Sequence, residues 1–130
     1  MIQKQTTLLT TDKSGLNLIK TFHLYSGFHR HWSAIGFFVK GSARFAVNKK
    51  FKNMNIFKKI KKVRKGLKVK VIITRQSYLM FRFDSSSLYV KDNTCLALKK
   101  KTLLRSKYIF GPIFINFRRT RFLSLYTLKI

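Results

Sequence analysis

Twenty-nine lysines and arginines stand against three acids, Asp12, Asp84 and Asp92, with no glutamate, giving a formal net charge of +26. No other feature of the sequence restricts the chain so strongly. An isolated fold carrying that surplus repels itself, and its core has to outweigh the repulsion. A polyanion that neutralises the surplus in place removes the difficulty. Nucleic acid is the usual one, because released counterions drive the association; an anionic membrane surface is the alternative. Material for a core is present, since 45% of the 130 residues are hydrophobic and 15% aromatic, enough for one domain and unlike a disordered polar tail.

The hydrophobic residues fall in short alternating runs. Residues 5–10 and 17–25 read as strands separated by the turn chemistry of Asp12-Lys13-Ser14-Gly15. A third strand is expected over 35–47. Leu67, Val69, Val71 and Ile73 alternate with Lys68, Lys70 and Ile72, a period of two with one basic face. Further strands are expected at 78–83, 87–91 and 94–98, punctuated by Asp84-Ser85-Ser86 and Asp92-Asn93, and Gly111-Pro112 marks a turn. Many short strands with regular turn signals argue for a small barrel or sandwich. Residues 113–128 are ambiguous between short helices and a strand. No stretch approaches the ~20 apolar residues that span a bilayer.

Between 48 and 67 the pattern changes. Eleven of the twenty-two residues from 49 to 70 are basic, while Ile56, Ile60, Val63 and Leu67 would form one apolar stripe on a helix. A basic loop that orders on its partner fits equally well. If helical, the stripe could serve as an amphipathic membrane anchor, which liposome flotation with and without nuclease would reveal.

Catalysis is poorly supplied. The three aspartates are isolated and each sits at an expected turn, and Cys95, the single cysteine, lies in an apolar run and is most simply a small buried residue. His29 and His31 could share one side of a strand, but without a nearby carboxylate or thiolate they make a poor metal site; bound stoichiometric metal would revive it. The expectation is therefore no enzyme, no metal, no cofactor and no small-molecule substrate. Basic residues interleaved with flat side chains suit RNA better, with Trp32, Tyr25, Phe28 or Tyr78 as stacking surfaces. Most of the 13 phenylalanines are expected in the core, whereas Trp32, lodged among polar and basic residues, is expected outside it. Candidate phosphate contacts are Lys40, Lys49, Lys50, Lys58, Lys59, Lys61, Lys62, Arg64, Lys65, Arg75 and Arg82.

Six blocks in collinear order resemble the universal large-subunit ribosomal protein L-fourteen family. They are Met1-Ile2-Gln3-x-Gln5-Thr6-x-Leu8 with Asp12-x-Ser14-Gly15; Gly27-x-His29-Arg30-x-Trp32 with Ile35-Gly36; Lys65-Gly66 leading into Leu67–Arg75; Arg82-x-Asp84-x-Ser86; Asp92 to Leu98; and Ile109-Phe110-Gly111-Pro112. Relative to that family the chain has lost acids, gained bases and acquired a basic insertion at about 47–62. The resemblance implies a mainly β fold: a small closed five-stranded β-barrel core over 1–98, a basic inserted loop, and a C-terminal segment, 99–130, with short helices. It also implies a structural constituent of the large ribosomal subunit. Its expected partners are large-subunit rRNA, neighbouring proteins including the L-nineteen family, and small-subunit rRNA at an intersubunit bridge. By position, Gln3, Thr6, His29, Arg30 and Trp32 would face large-subunit rRNA, and Lys107, Tyr108, Arg118 and Arg121 would lie toward the intersubunit side.

The preference for Lys, Phe, Ile, Asn and Tyr, with a single Pro, suggests an AT-biased genome of the kind common in organelles. The family-like residues start at Met1, so no presequence is expected. Both features suggest a protein made inside the organelle that uses it, a mitochondrion before a plastid; a nuclear gene with a cleaved presequence would sink this expectation.

Overall fold

Alternation of inward apolar and outward polar side chains gives much of this sheet one apolar face, which curling into a barrel buries. The computed structural model describes residues 1–25, 31–46, 63–99 and 102–114, with Phe117, Phe122, Ser124, Tyr126 and Lys129. The strands are β1 (Ile2–Gln3), β2 (Thr7–Thr10), β3 (Leu16–Leu24), β4 (Trp32–Ser33), β5 (Phe38–Ala46), β6 (Lys68–Arg75), β7 (Tyr78–Phe81), β8 (Ser87–Val90) and β9 (Thr94–Leu98). A closed barrel runs β2-β3-β5-β6-β9, sealed by parallel pairing of Leu9 with Thr94 and Thr10 with Cys95. The strands β1 and β4 form one two-stranded ribbon, and β7 and β8 another.

The strands expected from the sequence are present, with ends shifted by up to three residues. The expected strand at 35–47 begins only at Phe38. Gly36, at a φ of +80°, turns the chain there, and the Phe37 N–H donates to Ala34 O at 3.2 Å. Inside the barrel, Leu8, Leu16, Ile19, Leu24, Val39, Ala43, Val69, Val71 and Ile73 pack with Cys95, Ala97 and Ile2. Each large side chain so buried stabilises by about 1.5–3 kcal/mol before the entropy of ordering it. The strands β3 and β5 approach closely at Gly41, where an added Cβ would collide with Ile19 Cγ2 and lie 2.9 Å from Lys20 O.

The expected basic face holds over only part of the outside of β6. The basic face of β6 stops at Lys70. Ile72, Leu96 and Leu98 form a second apolar cluster with Ile113, Phe117, Phe122 and Tyr126, so C-terminal residues cover that face. The runs Val71-Ile72-Ile73 and Cys95 to Leu98 are apolar without alternation because both their faces are buried. Burial pushes the Cys95 thiol well above its ordinary pKa, with the charge of Asp12 adding to the shift. It likewise pushes the Tyr126 phenol up to about 12.

The phenylalanines correct a second expectation. Of the ten described, Phe114, Phe117 and Phe122 are buried and Phe37 and Phe38 half-buried, while Phe22, Phe45, Phe81, Phe83 and Phe110 are exposed. Asp12 is more than a turn former. Its Oδ1 accepts from the Ser14 N–H and hydroxyl, while its Oδ2 accepts from the buried Ala97 N–H at 2.9 Å, tying the end of β2 to β9. The short helices expected in the C-terminal segment, and the basic insertion at 47–62, fall largely or wholly outside the described residues.

Candidate nucleic-acid interface

Strand register gathers the positive charge. The antiparallel pairs His23–Lys40 and Lys40–Lys70 set three side chains in one row across β3, β5 and β6, and the pairs Lys20–Ser42 and Ser42–Lys68 set a second row beside it. Directly paired residues share a sheet face, so both rows point outward from the barrel. The three acids of the chain lie at 12, 84 and 92, so no carboxylate is supplied by any of these strands. Facing like charges such as Lys40 and Lys70 disfavour the sheet. Rings partly offset this: Lys40 Nζ lies 5.3 Å from the Tyr25 centroid, and Lys70 Nζ lies 5.1 Å from Tyr25 and 4.3 Å from Phe38. Phe22, Lys40, Lys68, Val69 and Lys70 line a shallow depression of about 280 Å³. The surface thus presents several uncompensated ammonium groups with a bare ring among them, a combination able to hold phosphates and stack a base.

A second polar concavity, about 270 Å³, is lined by Gln3, Lys4 and His31. The register of β1 and β4 pairs Gln3 directly with Trp32, which is exposed. Thr6 is adjacent, since its Oγ1 accepts from the Gln3 N–H at 3.1 Å. Three of the residues assigned to rRNA by resemblance, Gln3, Thr6 and Trp32, are therefore together on the surface. His29 and Arg30 lie outside the described residues.

The remaining candidates are scattered. Lys40 belongs to the row described above. Arg64 and Lys65 are exposed in the turn before β6, where Gly66 has a φ of +83° and its N–H donates to Ala43 O at 2.8 Å. Arg75 is only half-exposed: its Nε donates to Thr94 Oγ1 at 3.0 Å, and its guanidinium lies where a Cβ on Gly111 would come within 2.6 Å of it. Arg82 is exposed at the end of β7. Lys107 and Tyr108 are exposed, with Lys13 Nζ 5.0 Å from the Tyr108 ring. Lys49, Lys50, Lys58, Lys59, Lys61, Lys62, Arg118 and Arg121 lie outside the described residues. Lys20 and Phe22, which help complete the basic face, belong to no sequence motif, and Lys68 and Lys70 were marked only by their alternation within the block from Leu67 to Arg75.

The membrane-anchor reading finds less support. Val63 and Leu67, two of the four residues in the candidate amphipathic stripe, pack against the barrel core, and Ile56 and Ile60 lie outside the described residues. Among the described residues, no group of three or more His, Cys, Asp or Glu side chains is assembled that could hold a metal ion.

Comparison with known proteins accords with the barrel and its collinear motifs. The family ribosomal protein L14p/L23e matches over residues 1–129. The large ribosomal subunit protein uL14m of Tetrahymena pyriformis is 36% identical over 124 residues, covering 95% of this chain and 95% of that protein. The chain belongs to the ribosomal protein L14p/L23e family, and is a structural constituent of the large ribosomal subunit, not an enzyme.

Proposed function

We propose that this protein holds large-subunit rRNA in its folded arrangement, using the outer face of β3, β5 and β6 and the Gln3–Trp32 ribbon as its principal RNA surfaces. The observation that carries this reading is the alignment of Lys20, Lys40, Lys68 and Lys70 in two adjacent rows with no acid on the same strands. Such contacts neutralise phosphate without reading sequence, and the barrel fixes their spacing. The basic segment 58–65, with Arg64 and Lys65 exposed, extends the same role. Lys107, Tyr108, Arg118 and Arg121 face the small subunit and contribute to an intersubunit bridge, and a protein of the L-nineteen family is a neighbour. The uL14m relative and the organelle-like composition place the particle in a mitochondrion.

Sedimentation tests this. The tagged chain, expressed in its own organelle, should travel with large ribosomal particles in a sucrose gradient. The triple variant Lys40→Glu/Lys68→Glu/Lys70→Glu should remain at the top of the gradient. Free sedimentation of the unaltered chain, or unimpaired incorporation of the triple variant, would overturn the reading.

A further inference from the structure

The β7–β8 hairpin is chemically unlike the rest of the molecule. Residues 78–92 contain two bases, Arg82 and Lys91, and two acids, Asp84 and Asp92, and so carry no net charge in a chain whose total is +26. The third acid, Asp12, is buried, so both exposed side-chain carboxylates of the protein belong to this segment. One sits in the tip turn, where Asp84 Oδ1 accepts from the Ser86 N–H at 3.0 Å and from its hydroxyl at 2.6 Å. These bonds, the hydroxyl's first, hold the Asp84 carboxyl below its usual pKa, so it is charged at neutral pH. The other, Asp92, lies two residues past the end of β8.

The hairpin is also conspicuously bare. Leu79 pairs with Tyr89 and Phe81 with Ser87, so alternation puts Leu79, Phe81 and Tyr89 on one face. All three are exposed, Phe81 at 75% and Tyr89 at 61%, and Phe83 at the tip is fully exposed. Neither strand pairs with the barrel. A lone two-stranded ribbon is marginally stable in water, and an exposed apolar patch of this kind ordinarily marks an interface.

We infer that this face docks on another protein of the large subunit, one presenting an apolar patch flanked by basic side chains. The inference rests on the ribosomal reading above but assigns a different surface to a different class of partner. Rings alone would suit a base, yet sites for single strands set their rings in a positively charged groove, and here the flanking groups include both exposed side-chain carboxylates. With Arg82 and Lys91 balanced by Asp84 and Asp92, the hairpin offers phosphates no net attraction, whereas the Lys and Arg of a basic protein can pair with the two carboxylates. Aromatic side chains at the centre and charged groups at the rim are the usual anatomy of a protein–protein contact.

Site-specific photocrosslinking in assembled particles tests this. Phe83→p-benzoylphenylalanine places the probe on a side chain without structural duties. Irradiation of gradient-purified large subunits should give an adduct to a protein that survives exhaustive nuclease digestion. Adding Phe81→Ser/Tyr89→Ser should lower its yield about tenfold or more while the chain still sediments with the particle. An adduct that collapses under nuclease, no adduct from particle-bound chain, or a yield indifferent to the double substitution would overturn the docking proposal and leave the ribosomal reading standing. A chain absent from the particles would overturn both.

Discussion

The outer face of β3, β5 and β6 and the β7–β8 hairpin are both exposed and both rich in rings, yet they differ in what surrounds those rings. On the barrel, Tyr25 and Phe38 lie beneath the ammonium heads of Lys40 and Lys70, and no acid is near in sequence. On the hairpin, Leu79, Phe81, Phe83 and Tyr89 are bare and the charges cancel. Similar side chains therefore serve opposite solvents: the first face suits a polyanion, the second a polypeptide. The ring does not choose its partner; the local charge does.

The two regions should also differ in what they contribute to the fold, and this offers a way to break the contrast. Ile73→Ala leaves a void inside the barrel and should cost about 2–5 kcal/mol. Phe81→Ser on the hairpin should stay within about 0.5 kcal/mol, as is usual for surface sites. Urea denaturation of the purified chain would show it, and equal losses would mean the hairpin is packed in some way its exposure does not reveal.

A sharper pair is Asp12 and Asp84, which make the same local turn, each carboxylate accepting from the N–H and hydroxyl of the serine two residues on. Only Asp12 also accepts from a buried N–H on β9. Asp12→Ala should cost about 1–3 kcal/mol because the Ala97 N–H is left unpaired, while Asp84→Ala should leave the denaturation midpoint where it was. The smallest perturbation is alkylation at pH 8. Cys95, buried and with its thiol pKa raised, should resist iodoacetamide until the chain is unfolded, whereas a cysteine introduced by Phe83→Cys should react at once.

Most barrel strands were legible because alternation is a local signal: Leu67 to Ile73 and the turn at Asp12-Lys13-Ser14-Gly15 declare themselves within a few residues. What pairs across strands is not local. Nothing near Lys40 in the sequence indicates that His23 and Lys70 flank it, so the basic face could be glimpsed only in part. The covered outer side of β6 and β9 is illegible for the same reason, since Ile72 and Leu96 are buried in a cluster with Ile113 and Phe117, residues far along the chain. The phenylalanines misled in another way. Hydrophobicity predicts burial for an isolated domain, but Phe22, Phe81 and Phe83 are exposed in this chain and available to partners that the monomer lacks.

Phosphate binding by the lysine rows on β3, β5 and β6 has a direct signature in the salt dependence of binding to the large-subunit rRNA. The logarithm of affinity against the logarithm of salt should fall steeply, and Lys40→Gln/Lys68→Gln/Lys70→Gln should flatten the slope by roughly 2 to 3 units, at ~0.7–0.9 counterions per lost contact. Phe81→Ser/Tyr89→Ser should leave the slope unchanged. A slope indifferent to the three lysines would contradict the account.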